Sequence, residues 1–171
     1  LTLASAASAE YIDFKAIEPY VDFVNIMAYD MAVAPKHHSA LYESGVSGGM
    51  TSDKAVKAHL DAGIPAGKLV LGMPFYGRGG SYFASFNDYK HIRTDSLTVE
   101  KWDPESMVPY IADKEGNLLL GYDNPRSLRI KCEYALDKGL KGAMYWDYDG
   151  DNPDGDLRKA VAKAVLGERY A

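Results

Sequence analysis

At three places in this 171-residue chain an apolar run stops abruptly at an aromatic residue beside a charge. Tyr29 and Asp30 close VDFVNIMAYD, Tyr76 and Arg78 close KLVLGMPFYGR, and Trp146 and Asp147 close GAMYWD, with Tyr148 following. Hydroxyl-tipped rings, an indole, carboxylates and a guanidinium suit a neutral ligand rich in hydroxyl and amide groups. A sugar could lay its apolar face on Trp146 while the other groups bond its polar rim. The competing reading buries Trp146 in the core and makes Asp30 and Arg78 a structural ion pair. Residue types alone leave both open.

Strands and helices must position those groups. Val21, Phe23, Val24, Ile26, Met27 and Ala28 form a nearly continuous apolar run, which predicts a strand buried on both faces of a parallel sheet. Leu69–Met73 and Gly142–Trp146 predict two more, and Leu1–Ser8 a first. Tyr11–Tyr20 predicts a short helix, with Phe14, Ile17 and Tyr20 on one side and Pro19 stopping it. Asp53–Ala62 predicts a helix capped by Thr51 or Ser52, with Ala55, Val56, His59 and Leu60 at helical spacing. Gly63 and Pro65 end it. Pro125 and Ser127 open another, with Leu128, Cys132, Ala135 and Leu136 on one face and Gly139 at its end. Leu157, Val161, Ala164 and Val165 mark a last one. Strands alternating with helices predict an α/β fold of right-handed βαβ units. Ligands of such folds bind at the carboxyl ends of the strands, where all three tips fall.

Two segments break the rhythm. Residues 31–50, rich in Gly, Ser and His, predict a long loop, and Gly45, Gly48 and Gly49 within it lack phosphate-loop spacing and predict a flexible rim in place of a nucleotide site. Residues 79–120 predict a small α+β insertion, in which Val108–Ala112 and Leu118–Leu120 flank a hairpin turn over Asp113–Asn117. About four strand–helix units remain, too few to close an eight-stranded barrel of about 250 residues.

Composition narrows the partners. The apolar fraction of 47% and charged fraction of 25% are those of a soluble globular chain. The net charge of −5, without a Lys/Arg cluster, argues against nucleic acid. No apolar run reaches the about 18 residues of a membrane helix, so no membrane partner is expected. Cys132 is the only cysteine, which excludes an intrachain disulfide, and it falls on an apolar helix stripe as a packing residue. His37 and His38 are adjacent and poorly placed to chelate together, with no Cys or third His close by. DYDGDNPDGD lacks the Gly and the closing Glu of a calcium loop and predicts a solvated turn, with Asp154 or Asp156 capping the next helix. No metal and no other cofactor is expected. LTLASAASAE has neither an initiating Met nor a basic region and does not read as a signal peptide.

VNIMAYD, KLVLGMPFYGR, KWDPESMVPY and GYDNPRSLRIKCEYALDKGLKGAMYWDYDGD, in that order, resemble the last four strand–helix units of family 18 glycoside hydrolases, the chitinase-like family. The likeness runs over essentially the whole chain. It implies a partial (β/α)8 TIM barrel, with residues 1–78 and 121–171 in the barrel and 79–120 as the chitinase-type α+β insertion walling the cleft. It implies hydrolysis of β-1,4-linked N-acetylglucosamine substrates by a retaining route, in which the substrate's own acetamido oxygen attacks the anomeric carbon. By the same resemblance Tyr29 and Asp30 hold the acetamido group, Met27 lies beneath that sugar and Trp146 is the floor of its subsite. Tyr76 and Arg78 stand near the cleft, and Trp102 is a further substrate contact or a packing residue of the insertion. A secreted or periplasmic protein is implied, although no signal is visible in this chain.

One departure matters. The family's proton donor is a glutamate closing an Asp-x-x-Asp-x-Asp-x-Glu run after the fourth strand, and this chain has no such run. The chain is therefore expected to begin at the fifth strand, with a missing N-terminal half supplying the acid and the other strands, and to be inactive alone. The alternative is a non-catalytic, lectin-like relative that binds chitin or N-acetylglucosamine. Half a barrel exposes two sheet edges and an apolar inner face, which predicts oligomers through those edges or marginal folding. Light scattering and thermal melts of the chain are expected to show association or a low, broad transition; a stable monomer would overturn this expectation.

Overall fold

Apolar residues at every second position build one face of a four-stranded parallel sheet, and local caps fix the helices that cover it. The structure is a computed structural model and describes residues 1–167. In chain order the elements are β1 (Thr2–Ala6), α1 (Phe14–Ile17), β2 (Phe23–Met27), α2 (Ser52–Asp61), β3 (Leu69–Pro74) and β4 (Tyr76–Gly79). They continue with β5 (Asn87–Asp88), β6 (Val99–Asp103), β7 (Val108–Ala112), β8 (Leu118–Gly121), α3 (Pro125–Asp137), β9 (Gly142–Trp146) and α4 (Asp156–Leu166). The parallel sheet has the order β1-β2-β3-β9, with Ala6 beside Met27, Ile26 beside Leu71 and Pro74 beside Trp146. The carboxyl ends of its strands thus lie along one edge.

Val24, Ile26, Leu69 and Leu71 pack against Phe14, Ala55, Val56, Tyr134 and Leu140. Met73 and Phe75 pack against Leu128, Cys132, Leu157 and Val161 of α3 and α4. Burial pushes the Cys132 thiol up to about 12, so it is a packing group and no nucleophile. β2 departs from expectation: Val24 and Ile26 are buried, but Phe23, Asn25 and Met27 are only half-buried. Its helices cover one face, and the other lines an open depression with Val70, Met144 and Tyr145. Tyr20, expected on the apolar side of the first helix, is 74% exposed. That helix stops after one turn and gives way to a 3-10 turn over Glu18–Tyr20, which Pro19 opens. Leu60 and Leu136 also lie outside the core, rotated off the buried stripes of α2 and α3.

The helix ends follow sequence chemistry. Thr51 Oγ1 accepts from Lys54 N–H at the start of α2, and Gly63, at φ 105°, ends it in a conformation L side chains avoid. His59 Nδ1 lies 2.7 Å from the Ala55 carbonyl and its Nε2 2.8 Å from Ser5 Oγ, tying α2 to β1. Asn124 and Ser127 form a reciprocal capping box at α3. At α4 the cap is Asp151, whose carboxylate accepts from Leu157 and Arg158 N–H, and not the expected Asp154 or Asp156. Asp151 is buried and reaches the helix across the turn, a geometry that spacing does not encode.

The segment from Tyr76 to Gly121 forms a second sheet, antiparallel, in the order β5-β4-β8-β7-β6. Within residues 79–120 the helical piece is a 3-10 turn over Tyr89–His91, and the rest of the regular structure is strand. Hairpin pairing between β7 and β8 uses the residues' backbone groups in place of a helix, and Asp113 holds the turn by accepting from Asn117.

The middle of the loop 31–50 is anchored in the fold, whereas Gly45 and Gly49 are exposed. His37, His38, Ser39, Ala40 and Leu41 are buried in it. Ser39 Oγ donates to Asp123 at 2.6 Å, and Lys131 Nζ donates to Asp123 at 2.7 Å and to the Ser39 carbonyl at 2.6 Å. Removing one partner of a buried ion pair leaves an uncompensated charge, which typically costs about 3–5 kcal/mol. Lys131→Met is expected to destabilise the fold by about that much in urea unfolding, and Asp123→Asn added to it should recover part of the loss. An unchanged midpoint in the single variant would show that the pair is dispensable.

Candidate functional site

Gly72 on β3 makes room for the site. A Cβ there would collide with the Ile26 carbonyl and press on Tyr29 and Met144, so the bare backbone lets the Tyr29 ring lie across the strand. Beyond Met27 the chain turns at Asp30, which adopts a left-handed conformation at φ 57°. The turn swings the Asp30 carboxylate toward the second sheet.

There it meets β4. Arg78 Nε donates to Asp30 Oδ1 at 2.7 Å and Arg78 Nη2 to Oδ2 at 2.7 Å, a two-pronged pairing. Tyr76 Oη donates to Oδ1 at 2.8 Å. Tyr76 is buried, its ring edge-on to Tyr29 at 6.1 Å, and Phe86 stacks on its face at 4.4 Å. Arg78 Nη1 also donates to the Ser85 carbonyl, which fixes the loop carrying Phe86. Asp30 remains 43% exposed. It lines, with Met27, Tyr29, Met31, Tyr11 and Met50, an open depression of about 370 Å³.

The electrostatics follow from these contacts. Burial pushes the Asp30 carboxyl up, but the hydrogen bond and charge of Arg78, the adjacent His38 ring and the hydrogen bond from Tyr76 outweigh it and hold the group well below the usual carboxylate range. Burial, then the Asp30 charge, raise Tyr29; burial and the hydrogen bond to Asp30 raise Tyr76. Asp30 is therefore an ionised acceptor at neutral pH, flanked by two phenols that keep their protons. It can receive N–H or O–H groups but has no proton to give.

The structure brings Tyr29, Asp30, Tyr76 and Arg78 into one cluster and places Met27 on the wall of the same depression. Trp146 ends β9 at the same edge of the parallel sheet and is 55% exposed, so it is no core residue. Asp147 instead accepts from Gly150 N–H, and the Arg158 guanidinium lies over the Tyr148 ring at 4.4 Å. Trp102 is apart: it sits on β6 at the far side of the second sheet, under the Arg126 guanidinium at 3.9 Å. Among the described residues no group of three or more His, Cys, Asp or Glu could hold a metal ion. Two residues near Asp30 escaped the sequence reading. Phe86 has no signal beyond being aromatic, and His38, next to His37, is weighed only as a chelator and set aside.

Comparison with known proteins identifies the family. Residues 1–151 match the model of Glycosyl hydrolases family 18, and the chain belongs to that family. It is 32% identical to Chitinase A1 of Niallia circulans over 88% of this chain and 27% of that protein. Its structure superposes on Chitinase ChiA74 from Bacillus thuringiensis with a TM-score of 0.85 at 27% identity, covering 98% of this chain and 36% of that one. It also superposes on a glycoside hydrolase family 18 N-acetylglucosaminidase from Paenibacillus barengoltzii with a TM-score of 0.81 at 27% identity, covering 96% and 56%. The chain spans from 27% to 50% of the length of the curated relatives it matches.

A pH test follows from the clamp. Asp30 is depressed in the fold relative to about 3.9 when unfolded. Its contribution to stability is therefore present above that value and lost as pH falls toward the folded value. The stability difference between the wild type and Asp30→Asn is expected to stay constant above about pH 5 and to shrink below about pH 4. Thermal melts across that range check it; a difference that does not change with pH would overturn the assignment.

Proposed function

We propose that this chain is one half of a catalytic (β/α)8 barrel, the C-terminal half, and that the whole protein hydrolyses β-1,4-linked N-acetylglucosamine substrates. In this reading the four-stranded parallel sheet and its helices belong to the barrel, and the antiparallel sheet between Tyr76 and Gly121 walls the cleft. The observation that carries it is the Asp30 clamp: an ionised carboxylate fixed on one side by Arg78 and Tyr76 and open on the other beside Tyr29. A fixed acceptor of that kind matches the amide N–H of a 2-acetamido group. The relatives' names, chitinases and an N-acetylglucosaminidase, support the substrate class.

Tyr29 orients the acetamido carbonyl and Asp30 holds its N–H. The acetamido oxygen then attacks the anomeric carbon as the bond to the leaving sugar oxygen breaks. Positive charge develops on the acetamido group, and Asp30 lies where it stabilises that charge. Trp146 supports the ring from below, with Met27 beside the same sugar, and Tyr76 and Arg78 act through Asp30. The leaving oxygen takes its proton from a glutamate on the other half of the barrel. Trp102, covered by Arg126, serves the wall. Because the substrate is an extracellular polymer, the whole protein works outside the cytoplasm in this reading.

A chromogenic chitobioside tests the division of labour. The chain alone is expected to release no chromophore, and the chain joined to its upstream half to release it with ordinary turnover. Asp30→Ala in the longer protein should lower kcat by about 100-fold or more. Robust turnover by the short chain would sink the proposal; tight binding without turnover by the longer protein would favour the lectin-like alternative.

A further inference from the structure

A left-handed, non-glycine Asp30 needs something to hold it. The two backbone N–H groups at this turn supply the answer. Asp30 N–H donates to His38 Nδ1 at 3.4 Å, and Met31 N–H donates to the His38 carbonyl at 3.0 Å. Both acceptors belong to one residue, eight positions further along the chain.

His38 is itself immobilised. It is fully buried, at 0% exposure, and its ring tilts against that of Tyr76 at 5.3 Å. Its neighbours fasten it on both sides. His37 Nε2 lies 3.1 Å from Asp103 Oδ2 on β6, and Ser39 Oγ donates to Asp123 just before α3. Three consecutive buried residues thus engage three acids: Asp103 in the second sheet, Asp30 at the site and Asp123 at the helix. The groups whose charge reaches the His38 ring are Asp30, Asp123 and Lys131, and burial keeps the ring neutral.

The tautomer follows from distance. Nδ1 stands 3.6 Å from Asp30 Oδ1, too far for a hydrogen bond, so the ring does not grip the carboxylate directly. An Nδ1–H would point its proton at the Asp30 N–H donor. The proton therefore resides on Nε2, a buried atom that no protein group meets. We propose that His38 is the positioning residue of this site: as the neutral Nε2–H tautomer it holds the Asp30 backbone left-handed and so aims the carboxylate at Arg78 and Tyr76. The assignment concerns Asp30 itself and stands whichever ligand the site takes.

Nitrogen-15 NMR of the histidine rings in the labelled chain reads the tautomer, and the Asp30 carboxyl carbon-13 shift reads its titration. His38 is expected as Nε2–H in the wild type. His38→Leu fills the space without an acceptor, and Asp30 should then titrate upward toward the ordinary value of about 3.9. His38→Asn supplies a carbonyl oxygen for the Asp30 N–H and should keep the titration low. A merely structural role would lower the melting temperature of both variants and leave Asp30 unmoved, which overturns the proposal. So does an Nδ1–H tautomer in the wild type, and that measurement decides the matter even where the Leu variant fails to fold.

Discussion

The pairing of Asp30 with Arg78 and Tyr76 is the interaction on which the rest of this structure turns. Asp30 follows β2 of the parallel sheet, whereas Arg78 and Tyr76 lie on β4 of the antiparallel one. A single carboxylate therefore bolts two sheets together at the edge where the strands end. Its value is geometric more than energetic, because a partly exposed ion pair contributes little net stability. What it fixes is the direction of an ionised acceptor next to Tyr29. The same guanidinium holds the Ser85 carbonyl and lies 5.5 Å from the Phe86 ring, so the second sheet's loop is set by the same contact.

The clamp depends on backbone placed elsewhere. Gly72 leaves the gap into which Tyr29 fits, and the 37–39 segment braces the Asp30 turn from behind. In that segment His37 Nε2, His38 Nδ1 and Ser39 Oγ each find a protein partner outside it, whereas the second ring nitrogens of the two histidines, His37 Nδ1 and His38 Nε2, meet none. His37 and Ser39 join β6 and the start of α3 to the loop, and Lys131 closes the network from inside α3. The loop is thus buried and hydrogen-bonded where it touches the site, although its Gly and Ser content resembles that of a solvated rim.

Much of this was legible in the residues. Short apolar runs, the Thr51 cap, Gly63 and the Asn117 turn are local signals, and local signals read well. The Asp30–Arg78 pair was visible as one of two readings, because both residues follow strands and carry opposite charge. What stayed hidden was long-range. The one-sided burial of β2 depends on which neighbours cover it, and the cap by Asp151 depends on a turn folding back. His38 looked like half of a failed metal site because adjacency said nothing of the acids each histidine would meet. The family resemblance puts Trp102 forward as a substrate contact or a packing residue, and only the fold places it under Arg126, on the edge strand β6.

The electrostatics of the clamp also constrain the chemistry that the family membership suggests. A general acid must hold a proton near neutral pH, which requires a carboxyl raised by burial or by a like charge. Asp30 has the opposite environment, two donors and a cation, and stays ionised. The same holds for its neighbours, since Tyr29 and Tyr76 are pushed upward and hold their protons too tightly to transfer them readily. A site so built positions and stabilises charge but does not supply protons. A proton donor for bond cleavage therefore has to come from outside this cluster.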